Sequence, residues 1–260
     1  MDWLEAAVLG IIQGLTEFFP ISSTGHLYIG RHLFGLDDAG LFLDTMLHMG
    51  TLIAVLIIYR KEVATVLRWP FGRLSRLLMV GTLPTAIIGL AFEDFFEEIS
   101  ETGITIGWEF LLTGWVLWLA DKWKDHGNKA LEQISYTDAV FIGTFQGAAI
   151  LPAVSRSGMT IAAALFRRVD KSTAAYFSFF LSIPAIAGAL ILQLVKLGSG
   201  SPQALSLSSL MMATTMSALF GYLAVRGMIR LLKQGTLKHF AIYVWTLGIL
   251  VLSLQWTGHW

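Results

Sequence analysis

The chain has 260 residues with equal numbers of basic and acidic side chains, 18 of each, so its formal net charge is zero. Charged residues make up only 14% of it and hydrophobic residues 55%, whereas an ordinary soluble domain is about 25% charged. This composition excludes a soluble globular domain, the absence of cysteine excludes disulfides and thiolate metal sites, and the scattered charges give no support to nucleic-acid binding.

The first apolar region runs from Leu4 to Leu36 and is interrupted at Pro20–Gly25. As a helix, the arm Gly25–Leu36 would be roughly 18 Å long, well short of the roughly 30 Å hydrocarbon core of a bilayer. We therefore predict a re-entrant hairpin, which enters and leaves on the same side of the membrane. No basic start with a short apolar core and a small-residue cleavage motif is present, so we expect no removable signal peptide.

Six uninterrupted apolar segments follow, three before and three after a second broken region. Each approximately reaches the length of about 17 to 20 residues that a transmembrane helix needs. The predicted spans are Leu43–Tyr59, Leu77–Phe92, Ile104–Ala120, Ala174–Val195, Leu207–Val225 and Phe240–Trp256. The second broken region, Thr137 to Phe166, is interrupted at Pro152–Gly158 and is predicted to be another re-entrant hairpin. The predicted fold is thus all-α and integral to the membrane, with six transmembrane helices and two re-entrant helical hairpins.

The charges between these elements predict their orientation. Basic residues cluster in four connecting segments, namely Arg60, Lys61, Arg68, Arg73 and Arg76; Lys122, Lys124 and Lys129; Arg167, Arg168 and Lys171; and Arg226, Arg230, Lys233 and Lys238. The positive-inside rule places all four on the cytoplasmic side. The acidic loop from Glu93 to Glu101 and the uncharged loop Gly198–Ser206 then face outward. It follows that the first hairpin enters from outside and the second from the cytoplasm.

An internal repeat supports the same arrangement. When the chain is shifted by 133 residues, its predicted spans superpose and several residues match. The matches are Gly10 with Gly143, Gln13 with Gln146, Gly14 with Gly147, Ser22 with Ser155, Gly25 with Gly158, Ile53 with Ile186, Ala54 with Ala187, Met79 with Met212 and Thr82 with Thr215. We predict one membrane domain, 1–260, made of two inverted repeats at about 1–125 and 134–260, each one hairpin followed by three spans.

Two inverted hairpins should meet tip to tip near the middle of the bilayer, where polar residues are costly and most often functional. The tip residues are Glu17, Ser22, Ser23, Thr24, Gly25 and His26 of the first hairpin and Ser155, Arg156, Ser157 and Gly158 of the second. Hydroxyls and free N–H groups at helix starts favour an anion, and an arginine offers bidentate donors suited to phosphate. A carboxylate could bind a divalent cation shared with phosphate, and a histidine could act as base or nucleophile.

Structural explanations compete with each of these roles. Glu17 and Arg156 could form only a buried ion pair, and His26 could be a satisfied core histidine. The two prolines that begin the breaks could simply kink helices. Asp44 is interpreted as interfacial, with contact to a substrate as the alternative. The remaining histidines are interpreted as structural or surface groups: His32, His48, His126, His239 and His259.

Two motifs in the chain resemble those of a known family. The stretches Gln13–Leu27 and Pro152–Gly158 resemble the two motifs of the undecaprenyl-diphosphatase family, the bacitracin-resistance phosphatases. Supporting stretches are Leu47–Leu52, Phe92–Phe95 and Phe177–Pro184, and the similarity covers essentially the whole chain. The resemblance implies hydrolysis of a C55 isoprenyl diphosphate to its monophosphate, which regenerates the lipid carrier for wall polymers.

The resemblance also implies where the reaction occurs. It points to a catalytic core of Glu17, Ser23, His26 and Arg156, with Ser22, Thr24 and Ser155 nearby, in a site open to the outer face of the bacterial plasma membrane. It implies a divalent cation, Mg²⁺ or Ca²⁺, held by Glu17 and Gln13. The choice between serine and histidine as the nucleophile stays open.

The sequence departs from the family pattern at three positions. Gln13 stands where some members carry a second glutamate, so metal binding would rest mainly on Glu17. Ala153 replaces the glycine usual after Pro152, which could stiffen the loop because alanine resists a positive φ. Val244 occupies a position where an arginine was expected, which puts a charge contact there in doubt.

A transporter is the main alternative to an enzyme, because inverted repeats with broken helices are typical of secondary transporters. The same site could then carry a phosphorylated isoprenoid lipid across the membrane. The combination of carboxylate, serine and histidine beside an arginine favours hydrolysis. Membrane lipids and the lipid diphosphate are the expected partners, and the sequence leaves the oligomeric state open, with a homodimer as one option.

Overall fold

The computed structural model describes residues 1–36, 40–197 and 206–258, which form twelve α-helices and one short 3₁₀ helix, Leu131–Gln133. Of the predicted features, His259 and nearly all of the Gly198–Ser206 loop lie outside these residues. The helices are α1 Trp3–Phe18, α2 Ser23–Phe34, α3 Gly40–Ile58, α4 Arg60–Arg68, α5 Arg73–Ala91, α6 Glu93–Thr102, α7 Ile106–Trp123, α8 Tyr136–Ala148, α9 Arg156–Phe166, α10 Lys171–Leu197, α11 Leu207–Gln234 and α12 Lys238–Trp256.

The chain is a multi-pass membrane protein. Four helices, α5, α10, α11 and α12, are long and apolar enough to cross a bilayer, and α3 joined to α4 makes a fifth candidate. The six predicted spans fall on α3, α5, α7, α10, α11 and α12. Helix α7 carries three charged residues, Glu109, Asp121 and Lys122, within its 18 residues, so its composition alone does not identify it as a transmembrane helix.

The two interrupted regions each form a pair of short helices, as the sequence predicts. Helices α1 and α2 are separated by residues 19–22, and α8 and α9 by residues 149–155. These four helices have 16, 12, 13 and 11 residues, all below the length of about 20 residues that a crossing needs. The first residues of the second arms, Ser23 and Arg156, therefore lie in the opening turn of a helix, beside the break.

The same offset of 133 residues that relates the sequence matches also relates the helix starts. Trp3 and Tyr136 begin α1 and α8, and Ser23 and Arg156 begin α2 and α9. Both first arms also begin with a capping box, in which the N-cap side chain and the third helical residue bond each other's backbone N–H groups. The repeat in the sequence thus corresponds to a repeat of local structure.

The first arm of each helix pair packs against a long helix of the other half. Helix α1 lies along α11 and α8 lies along α5. The approach is close because glycines face the contact. A Cβ on Gly14 would lie 2.7 Å from the Gly221 nitrogen, and a Cβ on Gly143 would collide with the Gly81 carbonyl. Small residues spaced four apart allow such helix contacts inside a membrane, so glycine is required at these positions.

Helix α9 forms the centre of the fold. All of its residues from Ser157 to Leu165 are buried, and it packs against α7, α8 and α10. Because the helix is surrounded on every side, its first residue, Arg156, has a fixed position relative to the other elements. The largest buried hydrophobic cluster includes this helix and the inward faces of its neighbours.

Two segments that the sequence analysis treats as loops are helical. The acidic loop forms α6, and the basic segment after the first span forms α4, bent by 85° from α3. Both helices are short and amphipathic, and none of the residues of α4 is buried. Such helices are stabilised at a membrane surface and carry no long apolar run, which is why a search for spans does not find them.

A buried ionic clamp joins the beginning of α8 to the end of α9. Asp138 is fully buried and accepts hydrogen bonds from Arg167 Nε at 2.6 Å, from Lys129 Nζ at 3.0 Å and from the Ser135 hydroxyl at 2.9 Å. These contacts hold the open end of the second helix pair together, opposite to its break.

Replacing Asp138 with asparagine is expected to lower the free energy of unfolding by about 2–3 kcal/mol, because two cations lose their shared charged acceptor. The measurement is the thermal unfolding midpoint of the purified protein in detergent. Asp125→Asn is the matched control, since Asp125 pairs with Lys171 but is 66% exposed, and its loss should matter little. Equal midpoints for the two variants would contradict the clamp.

Candidate active site

The two breaks between the short helices touch each other. The Ser22 hydroxyl donates to the Pro152 carbonyl at 2.8 Å, and the Ser157 hydroxyl donates to the Phe19 carbonyl at 2.9 Å. Each helix pair thus binds a backbone carbonyl in the break of the other, and the Phe19 carbonyl also accepts from the Ile21 N–H at 2.8 Å, so these polar backbone groups are satisfied within the protein. The structure therefore brings the predicted tips together.

Both tips begin a helix in the same way. Ser22 caps α2 by accepting from the Gly25 N–H at 3.2 Å, and Ser155 caps α9 by accepting from the Gly158 N–H at 3.1 Å. The remaining first-turn N–H groups have no acceptor within their own helix. Two helix N-termini therefore converge, and their dipoles favour an anion between them.

The Ser22 backbone has a φ of 67°, in a region that non-glycine residues rarely adopt. The equivalent Ser155 has an ordinary extended conformation, with a φ of −73°. Strain of this kind persists only where surrounding contacts impose it, and it concentrates at functional sites. Here the contact is the hydrogen bond from Ser22 to the opposite tip.

Glu17 is the most highly connected residue between the tips. Its Oε2 accepts from the Ser23 hydroxyl at 2.5 Å and from Gln13 Nε2 at 2.9 Å, and its Oε1 accepts from Arg156 Nη2. His48 Nδ1 lies 3.5 Å from Oε2. The side chain of Glu17 is 3% exposed, so a buried carboxylate joins both helix pairs and α3.

These residues border a polar cavity of about 90 Å³. Its lining includes the residues Glu17, Ser22, Ser23, Thr24, His48, Ser155 and Arg156. The Arg156 side chain is 19% exposed, which leaves part of its guanidinium free toward this space. A cavity of this size with a guanidinium, a hydroxyl and two helix N-termini suits a phosphate group.

His26 does not join this cluster. Its Nδ1 lies 2.6 Å from the Ser22 carbonyl, and its Nε2 lies 2.8 Å from the Tyr243 hydroxyl of α12. The ring is also parallel to that of Tyr243 and edge-on to Phe110. Within the described part of the chain it has no hydrogen bond to Glu17 or Arg156. The structure therefore places His26 where it ties the first tip to α12.

Three residues outside the predicted set contribute to the site. His48, which the sequence predicts to be a structural or surface group, lines the cavity and contacts Glu17. Glu109 of α7 accepts from the Ala153 N–H at 2.5 Å and so fixes the second tip. Tyr243 anchors His26. Only the intramembrane charge of Glu109 could have indicated a role, because the other two depend on contacts between distant segments.

Two of the three departures from the family pattern, Ala153 and Val244, have simple structural outcomes. Ala153 is not among the positive-φ residues, so the expected conflict with alanine does not arise. Val244 is fully buried in an apolar cluster with Ile106 and Phe110, and the expected charge contact is replaced by a hydrophobic one.

Asp44, for which substrate contact is the alternative to an interfacial position, does not line the cavity. Its carboxylate pairs with Arg31 at 2.5 Å near the start of α3.

The site offers oxygen donors for a divalent cation. The amide of Gln13 must direct its nitrogen toward Glu17, because the opposite orientation would place two oxygens in contact. Gln13 Oε1 is then buried without a hydrogen-bond partner in the described residues. In the described part of the chain, no three or more acidic, histidine or cysteine side chains are grouped so that they could hold a metal ion by themselves. The donor set therefore fits a cation that takes most of its other ligands from phosphate and water.

Comparisons with known proteins identify the family of the chain. The family model for "Bacitracin resistance protein BacA" matches residues 6–250. A protein named undecaprenyl-diphosphatase 4 from Bacillus cereus (strain ZK / E33L) is 63% identical over 257 residues, which is 99% of each chain. Undecaprenyl-diphosphatases from Carboxydothermus hydrogenoformans and Alkaliphilus metalliredigens are 45% and 38% identical and are covered over 99% and 98% of their length. The chain belongs to the family of the bacitracin resistance protein BacA.

Proposed function

We propose that this chain hydrolyses undecaprenyl diphosphate to undecaprenyl monophosphate and phosphate, which recycles the lipid carrier for cell-wall polymers. One observation carries the proposal: the Ser23 hydroxyl and the Arg156 guanidinium contact the two oxygens of one buried carboxylate, between two helix N-termini. A nucleophile, its base and a phosphate-binding cation are thereby adjacent. The relatives that share the whole chain carry the name of this activity.

We also propose the finer topology of six spans and two re-entrant hairpins in two inverted repeats, about 1–125 and 134–260. The equal offset of the helix starts and the exchanged packing of α1 on α11 and α8 on α5 support it. The basic segments would then be cytoplasmic and α6 outside. The first hairpin enters from the outer side of the bacterial plasma membrane, so the cavity opens in that direction.

The lipid diphosphate would enter the site from the membrane. Its prenyl chain stays among the apolar helices while its diphosphate occupies the cavity. Arg156 and the first-turn N–H groups of α2 and α9 bind the terminal phosphate and orient it toward Ser23. Thr24 and Ser155 complete the polar wall, while Ser157 lies outside the lining and holds the tips together through its hydrogen bond to the Phe19 carbonyl. Most catalysis of phosphoryl transfer comes from such positioning and charge neutralisation.

Ser23 is the proposed nucleophile because it lines the cavity and its hydroxyl donates a hydrogen bond to Glu17, which can take its proton. Its oxygen attacks the terminal phosphorus, its proton passes to Glu17 Oε2, and the bond from phosphorus to the bridging oxygen breaks. The prenyl monophosphate leaves with that oxygen. Glu17 gives the proton that it took from Ser23 to the departing monophosphate and is a base again. It then takes a proton from the water that attacks the phosphoserine, the bond between phosphorus and the Ser23 oxygen breaks, and Glu17 returns this proton to Ser23 as inorganic phosphate leaves. Arg156 balances the charge on the transferring group throughout.

A divalent cation, Mg²⁺ or Ca²⁺, is part of the proposal. Glu17 and Gln13 Oε1 would hold it, and when bound it would neutralise charge on the diphosphate oxygens. Glu17 already accepts a hydrogen bond from Arg156, so the same carboxylate would hold both the cation and the guanidinium. The charge of the incoming diphosphate makes this arrangement favourable, because two negative groups then surround two positive ones.

The direct test is phosphate release from defined prenyl diphosphates by the detergent-purified protein. We expect release of one phosphate per substrate, its loss with excess chelator, and its recovery when Mg²⁺ or Ca²⁺ is added back. A folded protein that binds the lipid but releases no phosphate under any cation would contradict hydrolysis. That outcome would favour the transporter alternative, which moves the same lipid without cleaving it.

A further inference from the structure

A second polar cavity lies between α3, α4 and α11, on the side that we propose to be cytoplasmic. Its volume is about 370 Å³. The lining residues are Ile57, Ile58, Arg60, Lys61, Glu62, Tyr222 and Arg226. Three cations and one carboxylate leave it with an excess of positive charge. Within the described residues no carboxylate forms an ion pair with Arg60, Lys61 or Arg226, so their charge is available to a ligand.

One of these cations is held in place by a neighbouring ring. The Arg226 guanidinium lies 5.6 Å from the centre of the Tyr222 ring and 3.3 Å from its hydroxyl. An arginine stacked on an aromatic ring keeps its outer N–H donors directed away from the ring. The tyrosine therefore orients the guanidinium, and its hydroxyl adds a further hydrogen-bonding group beside the cavity.

The surroundings of this cavity indicate a membrane surface. Helix α4 turns by 85° from α3 and has no buried residue. Leu67, in its last turn, is 76% exposed, and Trp69 and Phe71, just beyond it, are 66% and 81% exposed. A short basic helix followed by exposed aromatic side chains is typical of an element that lies in the headgroup region.

An apolar strip extends from the cavity along the packed helices α3 and α11. Ile53 and Ile57 are exposed on α3, and Leu219 and Leu223 are exposed on α11. The strip runs from the basic end of both helices toward the bilayer interior. A ligand that fits both parts has a negative head and one or more hydrocarbon chains.

We infer that this cavity binds the phosphate headgroup of an anionic phospholipid of the cytoplasmic leaflet, with its acyl chains against the strip on α3 and α11. Basic pockets between membrane helices on the cytoplasmic side suit such headgroups. The site is separate from the cavity at the hairpin tips and shares no lining residue with it. Its occupant would stabilise the bend between α3 and α4.

The test compares lipid retention by the full-length protein in phosphatidylcholine nanodiscs that contain spin-labelled phosphatidylglycerol. The variant Arg60→Gln/Arg226→Gln removes two lining cations. The control Arg68→Gln/Arg230→Gln removes the same charge from the same two helices, outside the lining. We expect the lining variant to bind phosphatidylglycerol about tenfold more weakly than wild type, since each cation near the surface contributes appreciably to anionic lipid binding, and the control to bind nearly normally.

Unchanged phosphatidylglycerol binding by the lining variant would overturn the inference. Equal losses of binding in both double variants would also overturn it, because they would show only that a basic surface attracts anionic lipid without a defined site. Displacement of the labelled lipid by inorganic phosphate alone would also overturn it, since the apolar strip would then have no role. Farnesyl monophosphate that displaces the label in preference to unlabelled phosphatidylglycerol would replace the assignment with a prenyl lipid. Phosphate release, measured in parallel, reports on the proposed function separately.

Discussion

Replacing Arg156 with alanine is expected to lower phosphate release by about a thousandfold or more, the range seen when a phosphate-binding arginine is lost from a phosphoryl-transfer site. Among the described residues, Arg156 is the only arginine or lysine in the lining of the cavity between the tips. The measurement is the kcat/KM for phosphate release at saturating Mg²⁺. Turnover near the wild-type value by a folded variant would contradict the proposal.

This substitution has a structural side effect that a second variant removes. Without Arg156, Glu17 is a buried carboxylate that has lost its guanidinium, which costs about 3–5 kcal/mol of stability when a buried pair is broken on one side. The double variant Glu17→Gln/Arg156→Ala removes the uncompensated charge. We expect its unfolding midpoint to recover toward that of the wild type while its activity stays absent. Recovery of activity together with stability would mean that the pair is only structural.

Arg156→Lys separates charge from geometry. Lysine restores a positive charge near Glu17 but lacks the planar pair of donors that a phosphate accepts. The expected result is a stability close to wild type with activity reduced by about a hundredfold. Equal activities of the lysine and arginine forms would show that the site needs only a point charge.

The repeat in the sequence explains why the backbone of the site could be predicted. Ser22 and Ser155, and Gly25 and Gly158, occur at equivalent positions and make equivalent helix caps. A proline, hydroxyl and glycine pattern inside an apolar run has few local solutions, because an exposed break cannot be tolerated in lipid. The positions of both breaks and their mutual contact followed from these residues.

The chemically active side chains at the tips do not repeat between the two halves, and the local sequence does not decide what role each of them has. At the positions equivalent to Glu17, Ser23 and His26, the second half carries Ile150, Arg156 and Met159. One half therefore supplies the carboxylate and hydroxyl, and the other supplies the guanidinium. The ion pair could be anticipated from opposite charges at touching tips, although the sequence equally allowed it to be structural only.

The residues that were missed lie on neighbouring spans. His48 belongs to α3, an apolar helix whose rotation about its axis is decided by packing against α11 and α10. A single histidine in such a helix gives no local sign of which neighbour it faces. The orientation of the His26 side chain could not be predicted either, because it depends on a hydrogen bond to Tyr243, which is 217 residues away along the chain. Local patterns predict helices and breaks, while side-chain partners across elements require the fold.

Ser23→Ala is expected to lower phosphate release by about a thousandfold or more, whereas His26→Gln should lower it about tenfold or less. Ser23 is bonded to Glu17 at the cavity, while His26 binds the Ser22 carbonyl and Tyr243. Loss of the Ser23 hydroxyl removes the attacking oxygen. Loss of the His26 ring loosens the tip and alters the position of the first turn of α2. Kinetics with a soluble prenyl diphosphate measure both effects.

Tyr243→Phe provides the matched control for the histidine, because it keeps the ring stack and removes only the hydrogen bond to His26 Nε2. If His26 acts by positioning the tip, Tyr243→Phe and His26→Gln should have similar small effects, and the double variant should add little to either. If His26 were instead the nucleophile, His26→Gln would be as inactive as Ser23→Ala, while Tyr243→Phe would retain most of its activity. Quenching the reaction rapidly in acid and, in parallel, in alkali decides between these two outcomes, because a phosphoenzyme on Ser23 survives the acid quench and one on His26 survives only the alkaline quench.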